Sequence, residues 1–367
     1  MHKKDVLRCV LFHLILKICL MTFLLGKTLS ELQQIAADLD MPRFTAKQMA
    51  QWLYEKRVRT IDEMTNLSKV NREKLAEKYT VGYEDPADAA FSKDGTIRYL
   101  FATPAQKHIE TVYIPDHDRA TLCVSSQIGC KMQCYFCMTG KQGFNGQLTA
   151  NQILNQIFAI PESKTLTNLV FMGMGEPLDN WDEVSKVLEI ITAPWGMAWS
   201  PKRVTLSTIG QMQHLPDFLS QSLCNLAISI HSPFDEERLK LMPVQKAYPI
   251  ATVLDLLRTY DWTHQRDLTF EYIVFRGLND DAKHAHALLS LLKGLPCKVN
   301  LIRFHAIPDV ELQTSDIKQM EKFRDILCEH GLTATIRASR GEDIYAACGM
   351  LSSKKEEERK IASSTCK

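Results

Sequence analysis

The chain has 367 residues, 45% of them hydrophobic and 24% charged, with a formal net charge of +1. That length exceeds one small domain and suits a large domain plus a smaller one, and the composition is that of a globular chain. The near-neutral balance excludes a globally basic nucleic-acid binder, so any contact to phosphate must come from locally placed Lys and Arg. Eleven cysteines, an odd number in a long chain, argue against a secreted disulfide framework. Three of them fall within eight residues, which points to a metal site in a reducing, cytoplasmic compartment.

Residues 5–25 form an apolar run that at first sight looks like a signal peptide. Arg8, His13 and Lys17 interrupt it, and Ile18 to Leu25 is the longest stretch without them. That is far short of the roughly 20 residues a membrane-spanning helix needs. No small-residue cleavage site follows, because the next residues are Gly26-Lys27-Thr28-Leu29. Residues 1–27 are therefore read as an extension without assigned structure, with Met21 as a candidate start and no stable membrane association.

Residues 28–85 read as a small helical domain. Thr28 and Glu31 have the spacing of a capping box, and Leu29, Leu32, Ile35, Ala36 and Leu39 recur at helical spacing before Pro42. Thr45 is expected to cap a second helix carrying Met49, Trp52 and Leu53, with shorter helices over 60–67 and 71–79. Lys47, Lys56, Arg57, Arg59, Lys69 and Arg72 make the region basic. They form either a solvated helical face or an RNA-docking surface.

Over residues 86–350 the period changes. Segments 96–101 and 109–114 look like strands of a short β extension between the two domains, with Asp94-Gly95 as a turn signal. Apolar runs then occur at 122–125, 168–172, 204–207, 226–230, 270–274, 299–302 and 333–336. Amphipathic helical stretches lie between them, among them 149–160, 181–191, 250–261 and 281–292. This alternation predicts the α/β class, with parallel strands and right-handed crossovers. About six units suggest a partial (β/α)6 barrel or an open curved sheet, not a closed eight-fold barrel. In such folds chemistry gathers at the C-terminal strand ends, where Glu176, Ser207, Thr208, Ser229, His231 and His305 fall. Residues 351–367, containing KKEEERK, read as a disordered tail.

Cys130-Lys-Met-Gln-Cys134-Tyr-Phe-Cys137 has the spacing C-x3-C-x2-C. Three thiolates can hold three irons of a [4Fe–4S] cluster and leave the fourth open for a ligand. A structural zinc prefers four closed ligands, and His108 or Cys123 is available as a fourth, so zinc stays an alternative at this point.

The triplet, with an aromatic before its last cysteine, resembles the radical S-adenosylmethionine (SAM) superfamily. Thr121-Leu-Cys-Val-Ser-Ser-Gln-Ile-Gly-Cys130, Phe171-Met-Gly-Met-Gly-Glu-Pro-Leu-Asp-Asn180, Ser207-Thr-Ile-Gly210, Ser229-Ile-His-Ser-Pro233 and Arg340-Gly-Glu-Asp-Ile-Tyr-Ala-Ala-Cys-Gly349 narrow the likeness. They are similar to the motifs of the RlmN/Cfr family of RNA adenine methyltransferases, in matching order from about Leu25 to Met350. The resemblance implies a [4Fe–4S] cluster on Cys130, Cys134 and Cys137. It implies SAM contacts from Gly175, Glu176, Ser207, Ser229, Ile230, His231 and His305, the last standing where many relatives have Asn.

The implied reaction is methylation of adenine C2 in 23S rRNA (peptidyl transferase region) and in tRNA (adenine 37). This carbon is electron-poor and cannot attack a SAM methyl group directly. The family's route uses two SAM molecules. One methylates a cysteine, and the second yields a 5′-deoxyadenosyl radical that removes a hydrogen from that S-methyl group. By motif match Cys348 carries the methyl, Cys123 resolves the RNA adduct through a transient disulfide, and Glu110 accepts a proton. Without the resemblance Glu110 reads as a solvent-facing strand residue. The resemblance further implies a monomer drawing electrons from flavodoxin or ferredoxin. Two alternatives stand beside it: a Cfr-type C8 methyltransferase, whose sequences typically carry Ala where this chain has Pro177, and a non-catalytic iron–sulfur or zinc RNA-binding protein.

Overall fold

The computed structural model describes residues 22–103, 107–263 and 266–351. The expectations for residues 1–21 and for the tail beyond Leu351 lie outside the described residues. The chain divides into two compact units.

The first unit takes residues up to Glu84 together with 149–158 and 186–199, so it is not contiguous in sequence. Strand β1 (Thr22–Phe23) pairs in parallel with β2 (Tyr79–Thr80). Helix Leu29–Asp38 starts at the expected capping box: Glu31 N donates to Thr28 Oγ1 (3.3 Å) and Thr28 N to Glu31 Oε2 (2.8 Å). Thr45 does not cap its helix. It is the first residue of Thr45–Ala50, buried, with a hydroxyl that has no hydrogen-bond partner, and Phe44 occupies the cap position. A π-helical turn (Gln51–Lys56) follows. Residues 60–67 hold only the short 3-10 turn Ile61–Glu63, and Lys69–Lys78 is a regular helix. Helix Ala150–Phe158 belongs to this unit because its two asparagines bind the chain at 82–84. Asn151 Nδ2 donates to Gly82 O (2.9 Å), and Asn155 exchanges bonds with both peptide groups of Glu84. Of the six basic residues, Arg57 is half-buried over the Phe158 ring and Arg72 donates to Leu67 O (2.7 Å). Lys47, Lys56, Arg59 and Lys69 are exposed.

The second unit carries β3 (Asp88–Phe91), β4 (Ile97–Ala102), β5 (His108–Asp116), β6 (Arg119–Cys123), β7 (Gln127–Gly129), β8 (Phe144–Gln147), β9 (Asn168–Phe171), β10 (Val204–Thr208), β11 (Asn225–Ser229), β12 (Leu268–Val274), β13 (Cys297–Arg303) and β14 (Thr333–Ile336). Ten of them form one sheet in the order β14-β13-β12-β11-β10-β9-β6-β5-β4-β3. From β6 through β9 to β14 every pairing is parallel, as the alternation required. The β extension is not a separate piece, because β5 pairs antiparallel with β6 and β3–β5 continue the barrel sheet. β3 and β14 are the two ends of the strand order, so the sheet does not close.

Register explains where the chemistry collects. Side chains alternate faces along a strand, and residues paired in register share a face. One face carries Leu122, Leu169, Leu206, Ile228, Phe270, Val299 and Leu301, all buried apolar residues. The other carries Arg98, Glu110, Cys123, Ser207, Ser229, Glu271 and Asn300. A parallel sheet is usually apolar on both faces. Here one face mixes polar groups with apolar residues such as Val112, Val170, Ala227 and Ile273, and its Ser207, Ser229 and Glu271 line a cavity.

Candidate active site

The cysteine loop leaves β7 and returns along β8. Gly129 has φ +75°, and a Cβ there would lie 1.7 Å from Gly143 O, so only glycine fits this crossing. Cys130 N bonds Gly143 O (3.2 Å), Cys137 N bonds Cys134 O (3.1 Å), and Gln133 between them adopts a left-handed φ of 52°. Burial pushes the thiol pKa of Cys130 up to about 12 and those of Cys134 and Cys137 upward, and neighbouring thiols add to each shift: Cys137 on Cys130, Cys137 and Cys130 on Cys134, and Cys348 on Cys137. Such thiols become thiolates only against strong positive charge, which iron supplies. Among the described residues no three His, Cys, Asp or Glu are grouped to hold a single metal ion. Neither Cys123 nor His108, the two candidates for a fourth zinc ligand, is part of the cavity lining that holds the three loop cysteines. Three sulfurs set around one cavity wall fit a larger, multi-iron group.

That cavity is lined by Cys130, Cys134, Cys137, Gly175, Glu176, Ser207, Ser229, His231, Glu271, Arg337 and Cys348, among others. Gly175 has φ +104°, and a Cβ would meet Gln127 Cβ at 2.5 Å. Glu176 is buried. Its Oε2 accepts from Ile209 N (3.0 Å) and its Oε1 from Leu178 N (3.2 Å). Burial nevertheless raises its pKa to about 7, so a bound ammonium would find a carboxylate in want of a cation. His231 is buried at φ 57° with its ring edge-on to Phe136 (4.7 Å). Its Nδ1 accepts from Ile273 N (3.0 Å). Burial, helped by Arg238, lowers its pKa to about 3. The ring is therefore neutral, and Nε2 carries the proton as a donor.

Two expected cofactor contacts lie elsewhere. The Ile230 side chain is fully buried and outside the cavity lining, its N–H bonds Glu271 O (3.0 Å), and its carbonyl accepts from Ser232 N (2.8 Å). His305 lines a second cavity, where Nε2 meets Ser339 Oγ (3.0 Å) and Nδ1 meets Glu342 Oε1 (3.3 Å). Arg119, Arg303, Arg337 and Arg340 also line that second cavity.

Cys348 is exposed and belongs to the lining of both cavities, as do Arg337 and Ile302. Its segment is docked on the cysteine loop: Met138 N donates to Gly349 O (2.8 Å) and Thr139 Oγ1 to Leu351 O (2.9 Å). Cys123, more than two hundred positions away, is near enough that Cys348 adds to its pKa shift. Burial, the larger cause, pushes the Cys123 thiol to about 12, while Arg337 pulls it down. Both are free thiols. Glu110 is fully buried, which corrects the solvent-facing expectation, and pairs with buried Arg98 at 2.8 Å. It lies on the Cys123 face of the sheet, because Val112 is paired with Cys123.

Glu271 and Arg337 join the cavity without a sequence motif that marks them. They face each other at 3.6 Å in the first cavity, with Glu271 also accepting from Asn300 Nδ2 (2.9 Å). Burial raises the Glu271 pKa. A carboxylate in the middle of the apolar run Phe270–Val274 was the available signal.

Two family models match the chain. One described as the ribosomal RNA large subunit methyltransferase N-terminal domain covers residues 22–81, and the radical SAM superfamily covers residues 124–289. The probable dual-specificity RNA methyltransferase RlmN of Parabacteroides distasonis is 60% identical over 332 residues, covering 90% of this chain and 97% of that one. The dual-specificity RNA methyltransferase RlmN of Syntrophus aciditrophicus is 41% identical over 337 residues, with 90% and 97% covered. A crystal structure of a radical SAM methyltransferase from Sphaerobacter thermophilus superposes with a TM-score of 0.84 at 36% identity, covering 90% of this chain and 99% of that one.

Proposed function

The chain belongs to the RlmN family of radical SAM RNA methyltransferases, and on that premise we propose that it methylates C2 of adenine in 23S rRNA and in tRNA through a methyl group carried on Cys348. The observation that carries this reading is the place of Cys348 in the lining of two cavities. One holds the three loop cysteines and the polar strand ends, and the other holds four arginines suited to nucleotide phosphate.

Cys130, Cys134 and Cys137 would hold a [4Fe–4S] cluster. Gly175, Glu176, Ser207, Ser229 and His231 would hold SAM, with Glu176 taking the ammonium and His231 Nε2–H donating. When bound, cluster and SAM together supply a transferable methyl group and a carbon radical. Cys348 is exposed and can take the methyl by displacement, as thiolates do. Glu110 would accept the proton lost from the adenine ring. Cys123 would attack the Cys348 sulfur, so that an S–S bond forms as the S–CH2 bond breaks; the released carbon takes up a proton to become the methyl group, and an external thiol reductant returns the disulfide to two thiols. Arg337, beside both sulfurs, favours the Cys123 thiolate this requires. Exposed Lys47, Lys56, Arg59 and Lys69 of the first unit supply positive charge for RNA docking. The same reading takes the enzyme to act as a cytoplasmic monomer supplied by flavodoxin or ferredoxin. Among the described residues no helix is long and apolar enough to cross a membrane.

The test is mass spectrometry of nucleosides from RNA incubated anaerobically with reconstituted enzyme, SAM and reductant. The reading expects 2-methyladenosine. Appearance of 8-methyladenosine would move the chain to C8 chemistry, and SAM cleavage with no methylated adenosine would mean a different substrate.

A further inference from the structure

Arg238 lies on the helix Asp235–Leu241, is fully buried, and has entered so far only through its effect on the His231 ring. Its Nη2 donates to the carbonyl oxygens of Ile209 (3.1 Å) and Ser229 (3.2 Å), and its Nη1 to Gln245 Oε1. Its Nε is buried without a hydrogen-bond partner. None of these acceptors is a carboxylate. A guanidinium taken out of water is costly unless a nearby negative charge offsets the loss. The carboxylate of Asp235, which is exposed, is bonded instead by Gln245 Nε2 (2.7 Å).

What the helix packs against is the cysteine loop. Tyr135 N donates to Leu241 O (2.9 Å), and Leu241 and Met242 share one apolar cluster with Cys134 and Phe136. Cys134 acts on Arg238 ahead of Asp235 among the groups that favour its charged form. Three thiolates on a doubly positive iron–sulfur core leave one net negative charge. Reduction adds one electron and no proton, and doubles that charge. A fixed neighbouring cation therefore favours the reduced state over the oxidised one.

We propose that Arg238 is the built-in countercharge of the iron–sulfur cluster, a positioning residue that makes the cluster reducible by a low-potential one-electron donor of the flavodoxin or ferredoxin class. The proposal rests on the cluster assignment above. It explains why a guanidinium is kept in the core with its Nε unmatched by any other group.

The test is a redox titration of the cluster in the reconstituted holoenzyme, followed by electron paramagnetic resonance without SAM and compared at equal iron and sulfide per chain. Arg238→Gln removes the charge. Arg238→Lys keeps it but loses the fork that holds two carbonyls. The expected result is a shift of at least about tenfold against reduction in Arg238→Gln, which is about 59 mV for a one-electron couple. Arg238→Lys is expected to keep the parent midpoint. An unchanged midpoint in Arg238→Gln overturns the proposal, and so does an equal drop in both variants, because packing rather than charge would then be responsible. If Arg238→Gln fails to load iron, Gln245→Glu places a carboxylate against the guanidinium with Arg238 in place, while exposed Asp235 can turn to water. A lowered midpoint supports the countercharge and an unchanged one overturns it. Failure of the parent protein to bind iron and sulfide at all is a separate result that removes the cluster assignment itself.

Discussion

Replacing Arg98 by Met separates two roles of the buried pair it forms with Glu110. The Glu110 side chain is fully buried, the Arg98 side chain is 9% exposed, and their charged atoms stand 2.8 Å apart. Breaking a buried ion pair from one side leaves a charge without its counterion, which costs about 3–5 kcal/mol. A surface pair would cost at most about 1 kcal/mol. Arg98→Met is therefore expected to lower the free energy of unfolding by about 3–5 kcal/mol. The double variant Arg98→Met/Glu110→Leu removes both charges from strands β4 and β5 and is expected to recover most of that loss, since apolar replacements of buried pairs are often close to neutral. Activity should not follow stability. If Glu110 accepts the proton, the double variant stays folded, binds SAM and makes no methyladenosine. Urea denaturation gives the stability cycle, and nucleoside analysis gives the activity. A loss below about 1 kcal/mol in Arg98→Met would refute the electrostatic argument, and parental methylation by the double variant would remove Glu110 from the chemistry.

Gly129→Ala forces a Cβ into Gly143 O at a left-handed φ, so iron per chain after reconstitution should fall well below the parent value; full loading would show that the loop tolerates the shift. If Glu176 holds the SAM ammonium as proposed, it must be ionised to do so, and its pKa is raised to about 7. The carboxylate form is thus populated above that pH and lost below it, and SAM affinity by calorimetry should weaken from neutral pH toward pH 6, approaching tenfold per unit. A flat profile would argue against that contact. Cys123→Ala is expected to stall with RNA bound covalently at Cys348, visible on a denaturing gel; normal yields of free methylated RNA would exclude Cys123 as the resolving thiol.

How far the sequence could be read depended on whether a feature is local. The Thr28–Glu31 capping box is complete within four residues and stands as read. The parallel strands announced themselves as apolar runs. Thr45 misled because a hydroxyl before an apolar run reads as a cap, whereas its side chain is buried and unbonded. What one sequence lacks is register. Only the pairing of β5 with β4 and β6 places Glu110 beside Arg98 and on the face of Cys123, and only the approach of Arg337 to Glu271 makes that strand carboxylate part of the cavity. The approach of Cys348 to within electrostatic reach of Cys123 joins distant segments and was implied by resemblance, not by pattern. The division into units was hidden for the same reason, because Asn151 and Asn155 look like ordinary polar positions on a helix until their bonds to residues 82–84 are seen.

The central claim is that the methyl group passes through Cys348. It is tested by peptide mass spectrometry of reconstituted enzyme given methyl-labelled SAM, first without RNA and then with unlabelled SAM, RNA and reductant. The account predicts label on the Cys348 peptide in the first step and its transfer to adenine in the second. Labelled methyladenosine formed while Cys348 never carries the label would contradict it.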